Sequence, residues 1–143
     1  MKADAATESA VKAVLEKMSR AYAARDMESL LATISPDPDV IMYGTGADEK
    51  RLGREGVKAQ AERDWSQTDA ATLIDRGIAV CAAGPVAWAA MDASFEMKAG
   101  GQEMTLPARV TFVLEQRGGQ WLIVHAHFSL PAADQAEGES FPE

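Results

Sequence analysis

The chain is poor in the residues that most often mark a site. In 143 residues it holds one cysteine, Cys81, and two histidines, His125 and His127. A lone thiol can form no internal disulfide, which suits a reducing compartment, and the expected location is the cytoplasm. Cys81 sits in an apolar run and reads as a small core hydrophobe. The two histidines lack the further ligands that zinc would need, so no metal is expected, and nothing in the pattern calls for a cofactor. Positive charge is also scarce: 14 Lys and Arg stand against 22 Asp and Glu, a net −8. That balance argues against nucleic acid or an anionic membrane as partner. Long apolar runs are absent, and Met1-Lys2-Ala3-Asp4 leads into none, so neither a signal peptide nor a membrane span is expected.

What is present is a change of period along the chain. From Thr7 to Arg25, apolar residues fall at Val11, Val14, Leu15, Met18, Ala21 and Tyr22, the spacing of one helical face. Asp26 is suited to cap a second, shorter helix through Leu31, which Ser35-Pro36-Asp37-Pro38 stops. Val40 to Tyr43 reads as a short strand, Gly44 to Glu49 as a turn-rich loop, and Glu55 to Trp65 as a third helix. Beyond Ala71 the period becomes that of strands. Ala71–Ala82, Val86–Met97 and the stretch Met104–Pro131 are separated by Gly84-Pro85, Gly100-Gly101 and Gly118-Gly119. Helices first and strands after predict an α+β domain with a curved, mostly antiparallel sheet rather than βαβ units. One domain is expected over residues 1–131, followed by an acidic, flexible tail, 132–143.

Both histidines lie in the last hairpin, where strand alternation sorts the side chains into two faces. Leu122, Val124, Ala126, Phe128 and Leu130 form a uniform apolar face; Trp121, Ile123, His125, His127 and Ser129 form a mixed one. A three-residue turn, Arg117 to Gly119, joins like face to like and sets Arg109 opposite His127 and Thr111 opposite His125. A two-residue turn would set each apolar face beside a mixed one. The three-residue turn is the expectation.

Asp39 to Glu49, Gly53-Arg54, Arg109-Val110-Thr111 and Trp121 to Ser129, in this order of elements, resemble a SnoaL-like domain. That family belongs to the nuclear transport factor 2-like superfamily, with ketosteroid isomerase and scytalone dehydratase. The run from Trp121 to Ser129 is also similar to the association domain of calcium/calmodulin-dependent protein kinase II. The resemblance implies a cone: a strongly curved mixed sheet wrapped around a long N-terminal helix and two shorter ones, open at one end to a pocket. It also implies a homodimer formed through the outer sheet face. It fixes no reaction, since the superfamily includes isomerases, dehydratases, cyclases and non-catalytic assembly domains.

Within that frame Arg109 is the first candidate ligand anchor, because a buried guanidinium must have a partner and its planar fork matches a carboxylate. The alternative is an internal ion pair with Glu49. His127 is a candidate proton donor or acceptor, whereas His125 reads more readily as a hydrogen bond to backbone or Ser129. Glu49, at the expected mouth of the cone, is a candidate general base. Tyr43, Trp65, Trp88, Thr111 and Ser129 complete the expected ligand-binding set, and Phe95, Phe112 and Phe128 read as pocket or core. Trp121 reads as part of a dimer face. Ketosteroid isomerase-like chemistry needs a base with oxyanion donors; the sequence offers Tyr43 as a phenol and no evident Tyr–Asp pair, and Asp64 and Asp92 read as solvated. Two functions are therefore expected as alternatives. One is binding of a small, anionic or partly apolar ligand in a pocket anchored by Arg109 and His127, with an isomerase or lyase reaction as an extension. The other is non-catalytic self-association.

Overall fold

The structure is a computed structural model that describes residues 1–142. The first helix, α1, spans Ala5–Ala23, and Asp4 starts it by accepting the Thr7 amide at 2.8 Å. Its buried stripe is Val11, Leu15, Met18 and Ala21, the face expected from the 3.6-residue period. The helix ends in a Schellman arrangement: Arg25, at φ 57°, bonds to Tyr22, and the Asp26 amide reaches back to Ala21. Asp26 then caps α2, Met27–Ala32, through the Ser29 amide at 3.1 Å.

A short antiparallel hairpin follows, β1 (Ile41–Tyr43) and β2 (Lys50–Leu52). The third helix, α3, spans Gly53–Gln67, and the four long strands are β3 (Ala70–Ala83), β4 (Val86–Ala99), β5 (Gln102–Arg117) and β6 (Gln120–Ser129). They form one sheet in the order β2-β1-β6-β5-β4-β3, antiparallel throughout except where β1 runs parallel to β6. The expected α+β class and mixed, curved sheet are what the fold shows; β2 is a further strand that local pattern does not announce, between the Gly44–Glu49 loop and the third helix. Among the described residues no helix is long and apolar enough to cross a membrane. The segment after Ser129 contains no helix or strand in its described part, and Glu143, the end of the expected tail, lies outside the described residues.

The hairpin turn departs from expectation. Arg117 pairs with Gln120, so the loop is the two residues Gly118-Gly119, and both have positive φ, 54° and 80°, as a primed two-residue turn requires. The faces are nevertheless kept in phase by a bulge in β6. Leu114 pairs with Ile123 and Val113 with His125, so Val124 is the extra residue. Before the bulge Trp121 and Ile123 point inward and are buried; beyond it the buried Ala126 and the half-buried Phe128 point inward. Trp121, 7% exposed, is thus a core residue and not part of an outer face. Arg109 stands opposite Ser129, Thr111 opposite His127 and Val113 opposite His125, a shift of two residues along β6 from the expected register.

Inside the curve, Phe112, Leu114, Ile123, Val110 and Ala126 meet Val11 and Leu15 of α1 in one continuous core. Burying each large side chain of that set contributes roughly 1.5–3 kcal/mol. The inner face of the sheet and the helices α1 and α3 leave an unfilled space between them, and the candidate site lies there.

Candidate functional site

The strand faces decide which residues reach this space. On β5 the inner residues are Leu106, Ala108, Val110, Phe112 and Leu114, and Arg109 and Thr111 point the other way. Arg109, Thr111, His125, His127 and Ser129 do share one face, as expected, but it is the outer face of the sheet. They border a shallow trough there with Gly77, Ala79, Ala90 and Asp92. Arg109 is exposed, so it needs no buried partner, and it is not paired with Glu49. Asp92 is its neighbour across β4. His125 Nδ1 donates to the Ile41 carbonyl at 2.8 Å, the backbone role expected of it. Ser129 Oγ donates to the Arg109 carbonyl at 3.3 Å. The Tyr43 ring lies 5.2 Å from that of His127, with Lys50 Nζ 5.9 Å from its centroid. Trp88 alternates outward opposite Cys81 and Val113. An interior pocket anchored by Arg109 and His127 is therefore corrected; of the expected ligand-binding residues only Tyr43 borders the interior cavity, and the rest of its described lining comes from other side chains.

The interior cavity has a volume of about 330 Å³, at the small end of ligand-binding cavities. Its apolar wall comes from Leu73, Phe95, Leu106, Phe128 and Leu130 of the sheet and its neighbouring segment, with Met18 and Leu30 from the helices. Phe95 and Phe128 are 6.2 Å apart, and Phe128 meets Phe112 edge-on at 5.8 Å. Trp65 is not part of the lining. It packs against Tyr22, 6.0 Å between centroids, and its Nε1 donates to the Tyr22 carbonyl at 3.1 Å.

The polar end is built from two helices and β2. Tyr22, the residue after the buried Ala21 of α1, donates its hydroxyl to Asp64 Oδ2 at 2.8 Å. On α3, Val57, Gln60, Ala61 and Asp64 follow the i, i+3, i+4, i+7 spacing of one helical face. Gln60 Nε2 donates to Asp64 Oδ1 at 2.7 Å and to Glu49 Oε1 at 3.1 Å, while Gln60 Oε1 accepts from Arg51 Nε at 2.8 Å. Arg51 is opposite the inward-facing Met42 and also lines the cavity. A Tyr–Asp pair thus exists, between residues 42 apart, and Asp64 is not simply solvated. Burial raises the Tyr22 phenol well above its usual value, and the charge and hydrogen bond of Asp64 and the charge of Glu49 add to that effect. Tyr22 therefore stays a protonated donor.

Glu49 reaches the rim of the cavity but is committed to the loop that carries it. Its Oε2 accepts the Gly46 amide at 2.8 Å, and its Oε1 accepts from Arg63 at 2.5 Å as well as from Gln60. A Cβ on Gly44 would stand 2.2 Å from Glu49 Oε2, so the glycine is there to let the carboxylate fold over the backbone. Burial pushes the Glu49 carboxyl up, but the Gly46 amide, Arg63 and Gln60 outweigh it and hold the carboxyl below its ordinary range. An ionised, fully engaged carboxylate is a loop lock, and the expected role as general base is corrected on that ground. Among the described residues no cluster of three or more His, Cys, Asp or Glu is arranged to hold a metal ion.

Helical spacing alone could have found Tyr22, Gln60 and Asp64, which share the stripes of Ala21, Val57 and Ala61; of the two polar residues on α3, Asp64 reads as solvated and Gln60 carries no motif that singles it out. For Arg51 there was no such signal, because a three-residue strand offers too little alternation to fix a face.

A family model described as a SnoaL-like domain matches residues 11–133. Among curated proteins, none is significantly similar to the chain. Solved structures of similar fold include a nuclear transport factor 2-like protein of unknown function from Pseudomonas putida KT2440, at 23% identity and TM-score 0.78 over 96% of each chain. A protein of that superfamily from Streptomyces avermitilis, provisionally named a dehydratase, has TM-score 0.80 at 15% identity, over 87% of this chain and 97% of its own. A Xanthomonas campestris protein provisionally named as a calcium/calmodulin-dependent protein kinase II association domain has TM-score 0.75 at 24% identity, over 86% of each chain.

Proposed function

The chain belongs to the SnoaL-like domain family, and on that footing we propose that it binds a small, partly apolar molecule inside the cone, with Tyr22, Gln60 and Asp64 at its polar end. The observation that carries this reading is an apolar cavity of about 330 Å³ whose one polar end is a continuous chain of hydrogen bonds. In this reading Asp64 is also the proton acceptor. It receives two hydrogen bonds and keeps lone pairs for a bound molecule. Removal of a proton beside a carbonyl begins isomerase and lyase reactions alike, and the dehydratase name of the Streptomyces avermitilis protein is in keeping with that class.

A thermal shift screen of small aromatic and aliphatic compounds tests the binding. A subset is expected to raise Tm by several degrees, and Leu106→Trp, which fills the cavity from its wall, is expected to abolish the shift. Ligands that stabilise the filled variant as well as the wild type would overturn the reading.

A second reading, self-association through the outer sheet face, is supported by the small residues Gly77, Ala79 and Ala90 that floor the trough beside Arg109 and His127. Sedimentation across concentration tests it, with a monomer at all concentrations as the contrary result.

A further inference from the structure

The cavity holds one arginine, Arg51, and only its Nε is engaged, by Gln60 Oε1 at 2.8 Å. Among the described residues its two terminal nitrogens have neither a hydrogen bond nor an ion pair, while Arg63 beside it is taken up by Asp48 and Glu49. Gln60 has no donor to spare, since both contacts of its Nε2 are made. The amide therefore separates two opposite poles: the free end of a guanidinium fork on one side and a carboxylate with open lone pairs on the other. A terminal fork of this kind matches a carboxylate through two parallel hydrogen bonds. The Asp64 and Tyr22 oxygens, already supplied with protons from within, can only accept from a ligand.

We propose that the cavity is built for a hydroxy acid with an apolar body, its carboxylate on the free end of Arg51, its hydroxyl donating to Asp64, and its apolar part against Phe95, Leu106 and Phe128. This rests on the cavity reading above and adds its ligand class. A simple anion leaves Asp64 without a donor, and a simple alcohol leaves Arg51 without an acceptor. A molecule that carries both satisfies the two poles at once, and a site that holds a ligand's hydroxyl and carboxylate by hydrogen bonds discriminates against an analogue that lacks one of them.

The test is a titration followed by NMR with three probes on one phenylpropane skeleton: 3-hydroxy-3-phenylpropanoate, 3-phenylpropanoate and 1-phenylpropan-1-ol. The hydroxy acid is expected to bind tightest, about tenfold or more above either single-pole probe. Arg51→Gln is expected to weaken both acids by at least about tenfold and leave the alcohol unchanged, and Arg51→Lys to recover part of the loss. Asp64→Ala is expected to erase the advantage of the hydroxyl while keeping the acid bound. If the alcohol binds and Arg51→Gln does not affect the acids, the ligand class is wrong while the cavity reading stands. If the hydroxy acid gains nothing over 3-phenylpropanoate in the wild type, the two-pole match is likewise overturned. If no probe shifts any cavity resonance, both statements fall.

Discussion

The two faces of the sheet carry polar residues in different ways. On the outer face Arg109, Thr111, His127 and Ser129 lie together because strand alternation puts them there, and most are exposed with few contacts to each other. On the inner face the polar residues come from α1, α3 and β2, and each is fixed by the next: Tyr22 to Asp64, Asp64 to Gln60, Gln60 to Arg51 and Glu49. The first group is a neighbourhood in sequence. The second is a network in space, and in a low-dielectric wall a network is where hydrogen bonds gain strength and leave specific vacancies.

The comparison can be broken most sharply by stability. Phe112→Ala on the inner face is expected to cost about 3–5 kcal/mol in urea unfolding, and Thr111→Ala beside it about 0.5 kcal/mol or less. Comparable losses at the two positions would contradict the assignment of faces. Gly44→Ala is expected next, at about 1–3 kcal/mol, because the new methyl group displaces the Glu49 side chain from its loop.

Smaller effects sharpen the same picture through pH. Tyr22 has a folded pKa raised above its ordinary value of 10.0, so its stabilising contribution is complete below that value and is lost as pH rises through the folded one. An unfolding series above about pH 10 should fall more steeply for the wild type than for Tyr22→Phe. Glu49 behaves in the opposite sense. Its folded pKa is depressed, so its contribution is present above the ordinary 4.5 and disappears as pH falls through the folded value. Glu49→Gln should flatten this acid limb, and an unchanged slope would mean that the Gly46, Arg63 and Gln60 contacts do not act on the carboxylate.

Most of the fold was legible in sequence because it rests on period. The α1 stripe, the Asp26 cap, the glycine punctuation of the four long strands and the order of helices before strands all state local preferences that the tertiary structure keeps. The hairpin was legible only in part. A two-residue turn alone would have set unlike faces together, and a bulge at Val124, which no residue type announces, restores the phase. For the site, strand alternation could group Arg109 with His127 but could not say which side of a curved sheet the group faces. Asp64 illustrates the opposite difficulty. It shares the stripe of Val57 and Ala61, yet an aspartate next to Arg63 on a helix reads as solvated until Tyr22 is known to be opposite it. Long-range pairing of this kind is not written in local spacing.

The central claim is that ligand recognition belongs to the inner network and not to the outer hairpin face. The most direct measurement is the affinity of 3-hydroxy-3-phenylpropanoate for the wild type, Arg51→Gln and Arg109→Gln in parallel. Weakening of about tenfold or more in Arg51→Gln with no change in Arg109→Gln is the predicted result. Loss of binding in Arg109→Gln with Arg51→Gln unaffected would contradict it.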